Sequence, residues 1–269
     1  MSKIQFTSDL HMHSIYSNDG HDTPDAMFRR GLELGLEAMA ITEHAEWHNG
    51  ENGFPRIEPY FDAMLSCRKK YASEGLQVYT GIELGNPHLY ARQFDSLLGD
   101  YPFDIIIGSV HWLYDVNIHD TVVFKGRDLN MVYADYFDEI RRLVTEYPID
   151  ILAHFDRILW RATLVGLPFD PYPIEDTIRN AFQAVMKSDV ALELNTRHLA
   201  MSPTWREHLM TMLGWYKEEG GRGVVVNSDA HRTGHIALNF DIADQLLSQA
   251  GMGALTPEVL GELTLLIAS

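Results

Sequence analysis

The sequence predicts an α/β fold built on a parallel sheet. Three observations carry this. Seven short apolar, β-branched runs recur along the chain, helix-period segments separate them, and the runs lack strict alternation, as strands buried on both faces do. Strand and helix alternate about seven times, the order that lays successive strands side by side. A closed barrel and an open doubly wound sheet share this local signature. A single domain spanning 1–269 is expected, because barrels reach this length and no Gly-Ser linker or composition break divides the chain.

The elements follow in order. The first strand, Ile4–Leu10, runs into His11-Met12-His13. Pro24–Leu34 is a helix, with Thr23 as cap, Pro24 at the first helical position and Gly35 as stop. Ala38–Thr42 is the second strand and ends in Glu43-His44; the helix Glu58–Glu74 stops at Gly75. Gln77–Ile82 ends in Glu83, and Asp104–Val110 ends in His111. The helix Leu129–Glu146 stops before Pro148, and Ile149–Ala153 ends in His154. Ile174–Lys187 is helical, Val190–Leu194 is a strand through Glu193 to Asn195, and Thr204–Glu219 is helical. Gly223–Asn227 ends in Ser228-Asp229-Ala230-His231, and the helices Ile236–Gln249 and Pro257–Ile267 close the chain. Ala45–Ile57, Trp112–Asp128 and Phe155–Pro173 read as long loops, each directly after a strand, where parallel α/β proteins carry their chemistry.

Composition removes several functions. A formal net charge of −17 argues against binding a long nucleic acid, which needs clustered Lys and Arg. A single cysteine makes no internal disulfide, Cys-rich zinc site or CxxC pair, and points to a reducing, cytoplasmic setting. Cys67, within the Glu58–Glu74 helix, reads as a packing residue. No apolar run is long enough to cross a membrane, and Met1–Leu10 lacks the apolar core of a signal peptide.

The histidines and carboxylates fall at strand ends, which a parallel barrel gathers on one rim. His11 and His13, two apart, share a face, as do Asp229 and His231. Imidazole and carboxylate donors without thiolate suit Zn, Mn or Fe in an open hydrolytic site. His21, His48, His88, His119, His198, His208 and His235 carry no ligand role, since an isolated histidine is ordinarily a surface or packing residue.

Asp9-Leu10-His11-Met12-His13-Ser14, Ser17-Asn18-Asp19-Gly20, Thr42-Glu43-His44, Gly81-Ile82-Glu83, Ser109-Val110-His111, His154 and Ser228-Asp229-Ala230-His231 together resemble the PHP (polymerase and histidinol phosphatase) family. The motifs occur in family order across nearly the whole chain. The length and the wording around His111, Glu193 and Asp229 are similar to its monofunctional histidinol-phosphate phosphatase branch. The resemblance implies a distorted (β/α)7 barrel and two to three divalent ions. His11, His13, Glu83 and Asp229 would hold one, with Glu83 bridging to a second held by His111 and His154. Asp19, His44 and His231 would hold the third, with Asp22 as the alternative to Asp19. Glu43 replaces the Asp common before the second-motif histidine, as an imidazole-orienting partner or as a solvated rim carboxylate.

The implied activity is phosphomonoester hydrolysis of L-histidinol phosphate to L-histidinol and phosphate, in histidine biosynthesis. Clustered cations acidify a bridging water, and the resulting hydroxide attacks phosphorus in line. No enzyme nucleophile is needed. Arg157 and Arg197 are the candidate phosphate-binding residues, with Arg161 and Arg127 behind them, and Trp112 and Trp160 could wall the leaving-group pocket. Another small phosphate ester, a nucleotide or an oligonucleotide end is the alternative substrate. An amidohydrolase would want a bridging lysine, and no strand end carries one; a degenerate scaffold would have lost ligands, and all nine are present.

Overall fold

The β-branched runs pair edge to edge in one direction in a computed structural model that describes residues 6–48 and 51–257. The strands are β1 (Ser8–Asp9), β2 (Ala38–His48), β3 (Glu51–Gly53), β4 (Gln77–Gly85), β5 (Ile105–Ser109), β6 (Trp112–Leu113), β7 (Val116–Asn117), β8 (Ile151–Leu152), β9 (Ala191–Asn195), β10 (Gly223–Asn227) and β11 (Gly253–Ala254). The helices are α1 (Pro24–Leu34), α2 (Ile57–Ala72), α3 (Ala91–Asp100), α4 (Leu129–Glu146), α5 (Arg157–Leu164), α6 (Glu175–Lys187), α7 (Pro203–Glu218) and α8 (Phe240–Ala250).

The sheet runs β1-β2-β4-β5-β8-β9-β10-β11, and every neighbour along this path is parallel. The order follows the chain, as expected of a barrel wound by successive helical crossovers. The sheet curls until its ends meet at the C-terminal rim. There Met12 pairs with Ala230, and His13 N donates to Ala230 O at 2.8 Å. At the opposite rim β11 takes the edge of β10, Gly223 facing Gly253, so the seam is open below and tied above. A Cβ on Gly223 would lie 2.8 Å from Gly253 O, which is why a glycine stands at that crossing.

Two apolar layers hold this arrangement. Ile105, Ile107, Ile151, Ala153, Ala191 and Val225 fill the barrel interior with Leu10 and Ala40. A larger layer, including Met39, Ile41, Leu152 and Leu192, lies between the sheet and its helices. The neighbours Leu152 and Ile151 belong to different layers, the alternation a sheet covered on both faces imposes.

Local chemistry sets the helix ends. The Thr23 side chain caps α1 by accepting from Ala26 N at 3.3 Å, and Gly35 ends it at φ 88°. Asp128 and Ser202 cap α4 and α7 by accepting from Met131 N and Trp205 N, each at 3.1 Å.

Several boundaries differ from expectation. The first strand is shorter than Ile4–Leu10, whose residues 4 and 5 lie outside the described residues, as does the expected final helix from residue 258 on. β2 continues through the segment expected to open the Ala45–Ile57 loop and pairs with β4 as far as Ala45–Leu84 before β3 folds back on it. Its polar residues 43 and 44 do not end the strand, because both have buried partners: His44 meets Glu83 inside the cavity, and Glu43, on the other face, accepts from the hydroxyls of Ser14 and Ser17. The Trp112–Asp128 segment contains the β6–β7 hairpin, and Phe155–Pro173 contains α5. α3 was not expected, although Ala91, Phe94, Leu97 and Leu98 carry helical spacing and face the core. Cys67 is buried on α2, and burial pushes its thiol up to about 11, in keeping with a packing role.

Candidate metal centre

Strand parity carries Glu83, His44 and His111 into the cavity. Glu83 sits opposite Ile107, an interior residue, so its carboxylate stands directly on the apolar floor. It is fully buried. Its Oε1 lies 2.9 Å from His154 Nε2 and 3.2 Å from His111 Nε2, and Ser109 Oγ donates to it. Its Oε2 lies 2.6 Å from His44 Nδ1 and 3.5 Å from both His11 Nε2 and His13 Nε2. Five imidazoles thus surround one carboxylate. Burial opposes its charge, but His111, His11 and His44 outweigh that and hold it well below the usual carboxylate range.

The remaining donors close the ring from across the seam. Asp229 Oδ1 lies 3.4 Å from His13 Nε2, 3.9 Å from His11 Nε2 and 3.4 Å from His231 Nδ1. Asp19 Oδ2 lies 3.0 Å from His231 Nε2 and 3.5 Å from His44 Nε2. The structure therefore brings all nine sequence-predicted donors together. Asp22 goes elsewhere: its carboxylate accepts from Thr233 N at 2.7 Å. Gly20 lets the Asp19 loop fold back, since a Cβ there would lie 1.8 Å from Ser14 O. His154 and Asp229 hold φ values of 22° and 52°, left-handed backbone that a non-glycine residue adopts at a cost.

The donor set suits divalent cations. Buried polar atoms are almost always hydrogen-bonded. Here His11 Nε2, His13 Nε2, His44 Nδ1 and Glu83 Oε2 are buried, face one another and make no hydrogen bond. Three groups of donor atoms lie close enough to share an ion: His11, His13 and Glu83; His13, His44 and His231; and His44, Glu83 and His111. Glu83, His13 and His44 each belong to two of them, and of the three only Glu83, a carboxylate with two oxygens, suits a bridge between adjacent ions.

A second layer orients the imidazoles, and sequence reasoning missed most of it. His11 Nδ1 donates to Glu193 Oε1 at 2.7 Å, and His111 Nδ1 donates to Glu46. A carboxylate on one ring nitrogen fixes the tautomer and turns the other lone pair toward the centre. Glu193 also accepts from His154 N at 2.7 Å and Asn227 Nδ2 at 2.9 Å. Period-2 spacing could have flagged both: Glu46 stands two residues beyond His44, and Glu193 two before Asn195. Glu43 is not a rim carboxylate. It is fully buried, accepts from the hydroxyls of Ser14 and Ser17, and is pushed up to about 7 by burial. Ser17 Oγ in turn lies 3.5 Å from His13 Nδ1 and accepts from His44 N at 2.9 Å, so Glu43 reaches the imidazoles only through Ser17.

Two clefts open onto this cluster and share Asp19, His44, His119 and Arg157. The smaller, about 210 Å³, gathers Arg157, Arg161 and Arg197. The larger, about 590 Å³, carries Tyr16, Phe54, Glu46 and Asp120 with Arg157 as its one cation. Arg197 Nη1 lies 3.6 Å from Asp229 Oδ2, donates to Asp229 O at 3.3 Å and lies 3.0 Å from His231 Nδ1, which itself lies 2.9 Å from Asp229 O. Arg127 is turned away, donating to Val122 O and Val123 O and lying over Tyr114. Trp112 donates to Glu46 at 3.0 Å and stacks on His48, and Trp160 packs between His119 and His198.

Residues 9–197 match the PHP domain. The chain belongs to the PHP domain family. Among its PHP relatives, a protein of Clostridium acetobutylicum named "probable histidinol-phosphatase" is 30% identical over 86% of this chain and 89% of its own length. The histidinol-phosphatase of Lactococcus lactis is 22% identical over 90% of this chain and 91% of its own. The crystal structure of histidinol phosphate phosphatase from Lactococcus lactis, complexed with zinc, L-histidinol and phosphate, superposes with a TM-score of 0.82 at 21% identity, covering 93% of this chain and 95% of that one. That likeness is one of fold, and it bears out the α/β barrel with a distorted, incompletely closed sheet. No helix among the described residues is long and apolar enough to cross a membrane.

Proposed function

We infer that this PHP protein is a metal-dependent phosphatase that hydrolyses L-histidinol phosphate to L-histidinol and phosphate. The observation that carries it is the convergence of six imidazoles on Glu83, Asp229 and Asp19, with four buried donor atoms that no protein group satisfies. The names of the relatives supply the substrate.

In this reading His11, His13, Glu83 and Asp229 hold one ion, Glu83, His111 and His154 a second, and Asp19, His44 and His231 a third, as Zn, Mn or Fe. When bound, divalent ions neutralise phosphoryl charge and make water a nucleophile near neutral pH. The chain's own residues do the rest. Glu193 and Glu46 orient ring nitrogens. Arg197 and Arg157 bind the phosphoryl oxygens from the three-arginine cleft. The larger cleft, with Asp120, Glu46 and aromatic walls, suits a leaving group that bears an amine and an imidazole. The whole chain acts as one domain, in the cytoplasm, on a small substrate.

The test is phosphate release across a panel of histidinol phosphate, nucleoside monophosphates and oligonucleotides, with Zn, Mn or Fe restored in turn. Histidinol phosphate should give the highest kcat/KM. A large preference for a nucleotide or oligonucleotide end would instead favour a PHP phosphoesterase of another substrate class.

A further inference from the structure

Arg157 is a cation without a carboxylate. Its Nη1 donates to His111 Nε2 at 2.9 Å and to His154 Nε2 at 3.0 Å, and its Nη2 donates to His119 Nε2 at 2.6 Å. Its Nε is buried without a partner, and among the described residues no acidic side chain forms an ion pair with it. A guanidinium only donates, so each ring nitrogen it meets must offer a lone pair. In the neutral His111 ring, Glu46 takes the Nδ1 proton and Nε2 is the nitrogen left to accept. Those two Nε2 atoms, beside Glu83 Oε1, are the donors proposed above for the second ion.

We propose that Arg157 and the second ion compete for the lone pairs of His111 and His154, so that Arg157 sets how tightly that ion is held. This rests on the metal-centre reading above. The competition is built into the chain. Arg157 begins α5 only three residues after His154, and its N donates to His154 O at 2.9 Å, so the side chain cannot drift far from the ring it covers. Ile158, Leu159 and Trp160 bury the next turn and hold the backbone in place. His119, which lies on the opposite side of the guanidinium, keeps it at the cleft mouth when Nη1 is released. Neutral imidazoles are weaker acceptors than a phosphate oxygen. An arriving phosphate therefore draws Arg157 off the same nitrogens that the ion needs, and ion and phosphate favour each other.

The test is a titration of the ion-stripped full chain with Zn²⁺ or Mn²⁺ against a competing chelator, comparing wild type, Arg157→Met and Arg161→Met. Arg161 lies in the same cleft and, among the described residues, makes no hydrogen bond to His111 or His154, so its variant removes the charge without uncovering either nitrogen. The weakest-bound ion should tighten roughly tenfold or more in R157M, the release of two charge-assisted hydrogen bonds, and less than about threefold in R161M. Inorganic phosphate should tighten that ion in wild type and do so less in R157M. Equal or weaker binding in R157M, or an equal gain in R161M, overturns the proposal. If none of the three proteins binds an ion, the metal-centre reading fails and the proposal with it; equal binding in all three overturns the proposal alone.

Discussion

Glu193 is the residue whose loss should cost most for its distance from the chemistry. It is fully buried and accepts from His11 Nδ1 at 2.7 Å, His154 N at 2.7 Å, Asn227 Nδ2 at 2.9 Å and Asn195 Nδ2 at 3.2 Å. Burial opposes its charge, yet His11 keeps its carboxyl below the ordinary value. Glu193→Ala strands these donors in a dry site. Each unsatisfied donor costs about 1–3 kcal/mol, and breaking a buried charged pair costs about 3–5 kcal/mol in all, so the alanine variant should unfold far more readily. Glu193→Gln keeps the shape but turns one acceptor into a donor facing either the His11 or the His154 side. That variant should fold, lose about 1.5–3 kcal/mol and bind ions about 10- to 100-fold more weakly. Urea unfolding of the ion-stripped protein reads the first quantity, and chelator competition the second. An E193Q protein with wild-type unfolding midpoint and ion affinity within threefold of wild type would refute the positioning role.

Three further outcomes follow from the geometry. Asp19→Asn should remove one ion and most phosphate release, whereas Asp22→Asn, whose carboxylate accepts from Thr233 N, should retain the full ion count by elemental analysis. His11 and His44 are opposed by burial but raised well above the ordinary histidine value, His11 by Glu193 and Glu83 and His44 by Glu83 and Asp19. Their pairing stabilises the ion-free fold fully below pH 6.5 and is lost as pH rises through the raised values, so ion binding at pH 7 should expel about one to two protons; an indicator dye in weak buffer reads this, and no release would contradict it. Stripping the ions with a chelator should lower Tm, with hydrogen exchange rising first at β1 and β10; uniform or unchanged exchange would count against a seam held by ions.

Much of this was legible because strand ends announce themselves. His11, His13, Glu83, His111, His154, Asp229 and His231 each follow an apolar run too short for a helix, and a parallel sheet sends all such ends to one rim. The choice of Asp19 over Asp22 was an inference from a motif, and it is geometry that separates them: Gly20 folds the loop so that only Asp19 reaches His231. What sequence did not show was the layer beneath. Glu46 fell inside an expected loop because polar residues seemed to end β2, when the strand in fact continues with its polar side chains paired. Glu193 was visible at a strand end but indistinguishable from a ligand or a rim charge, since its role depends on His11, 182 residues away. His119 lay outside any pattern, and its link to Arg157 is purely tertiary.

The barrel seam and the metal centre are one structural problem. β1 is only two residues long, and below the rim β10 gives its edge to β11. Among the described residues one backbone bridge, Met12 to Ala230, ties the β1 side to the β10 side, and side chains add to it: Leu10 N donates to Asn227 Oδ1 at 2.8 Å, and Ser228 donates to Asp9 from N at 3.0 Å and from Oγ at 2.5 Å. Asp9 is fully buried and pushed up to about 6 by that burial, so even this polar tie is held against a desolvation cost. His11 and His13 lie on one side of the seam, and Asp229 and His231 on the other. On the proposed ligand assignment, cations shared across it would act as staples as well as reagents, supplying attraction where backbone pairing is sparse. The same argument explains why the left-handed backbone at Asp229 is tolerated: it turns the carboxylate back across the gap, toward His13, at the one place where the sheet needs closing.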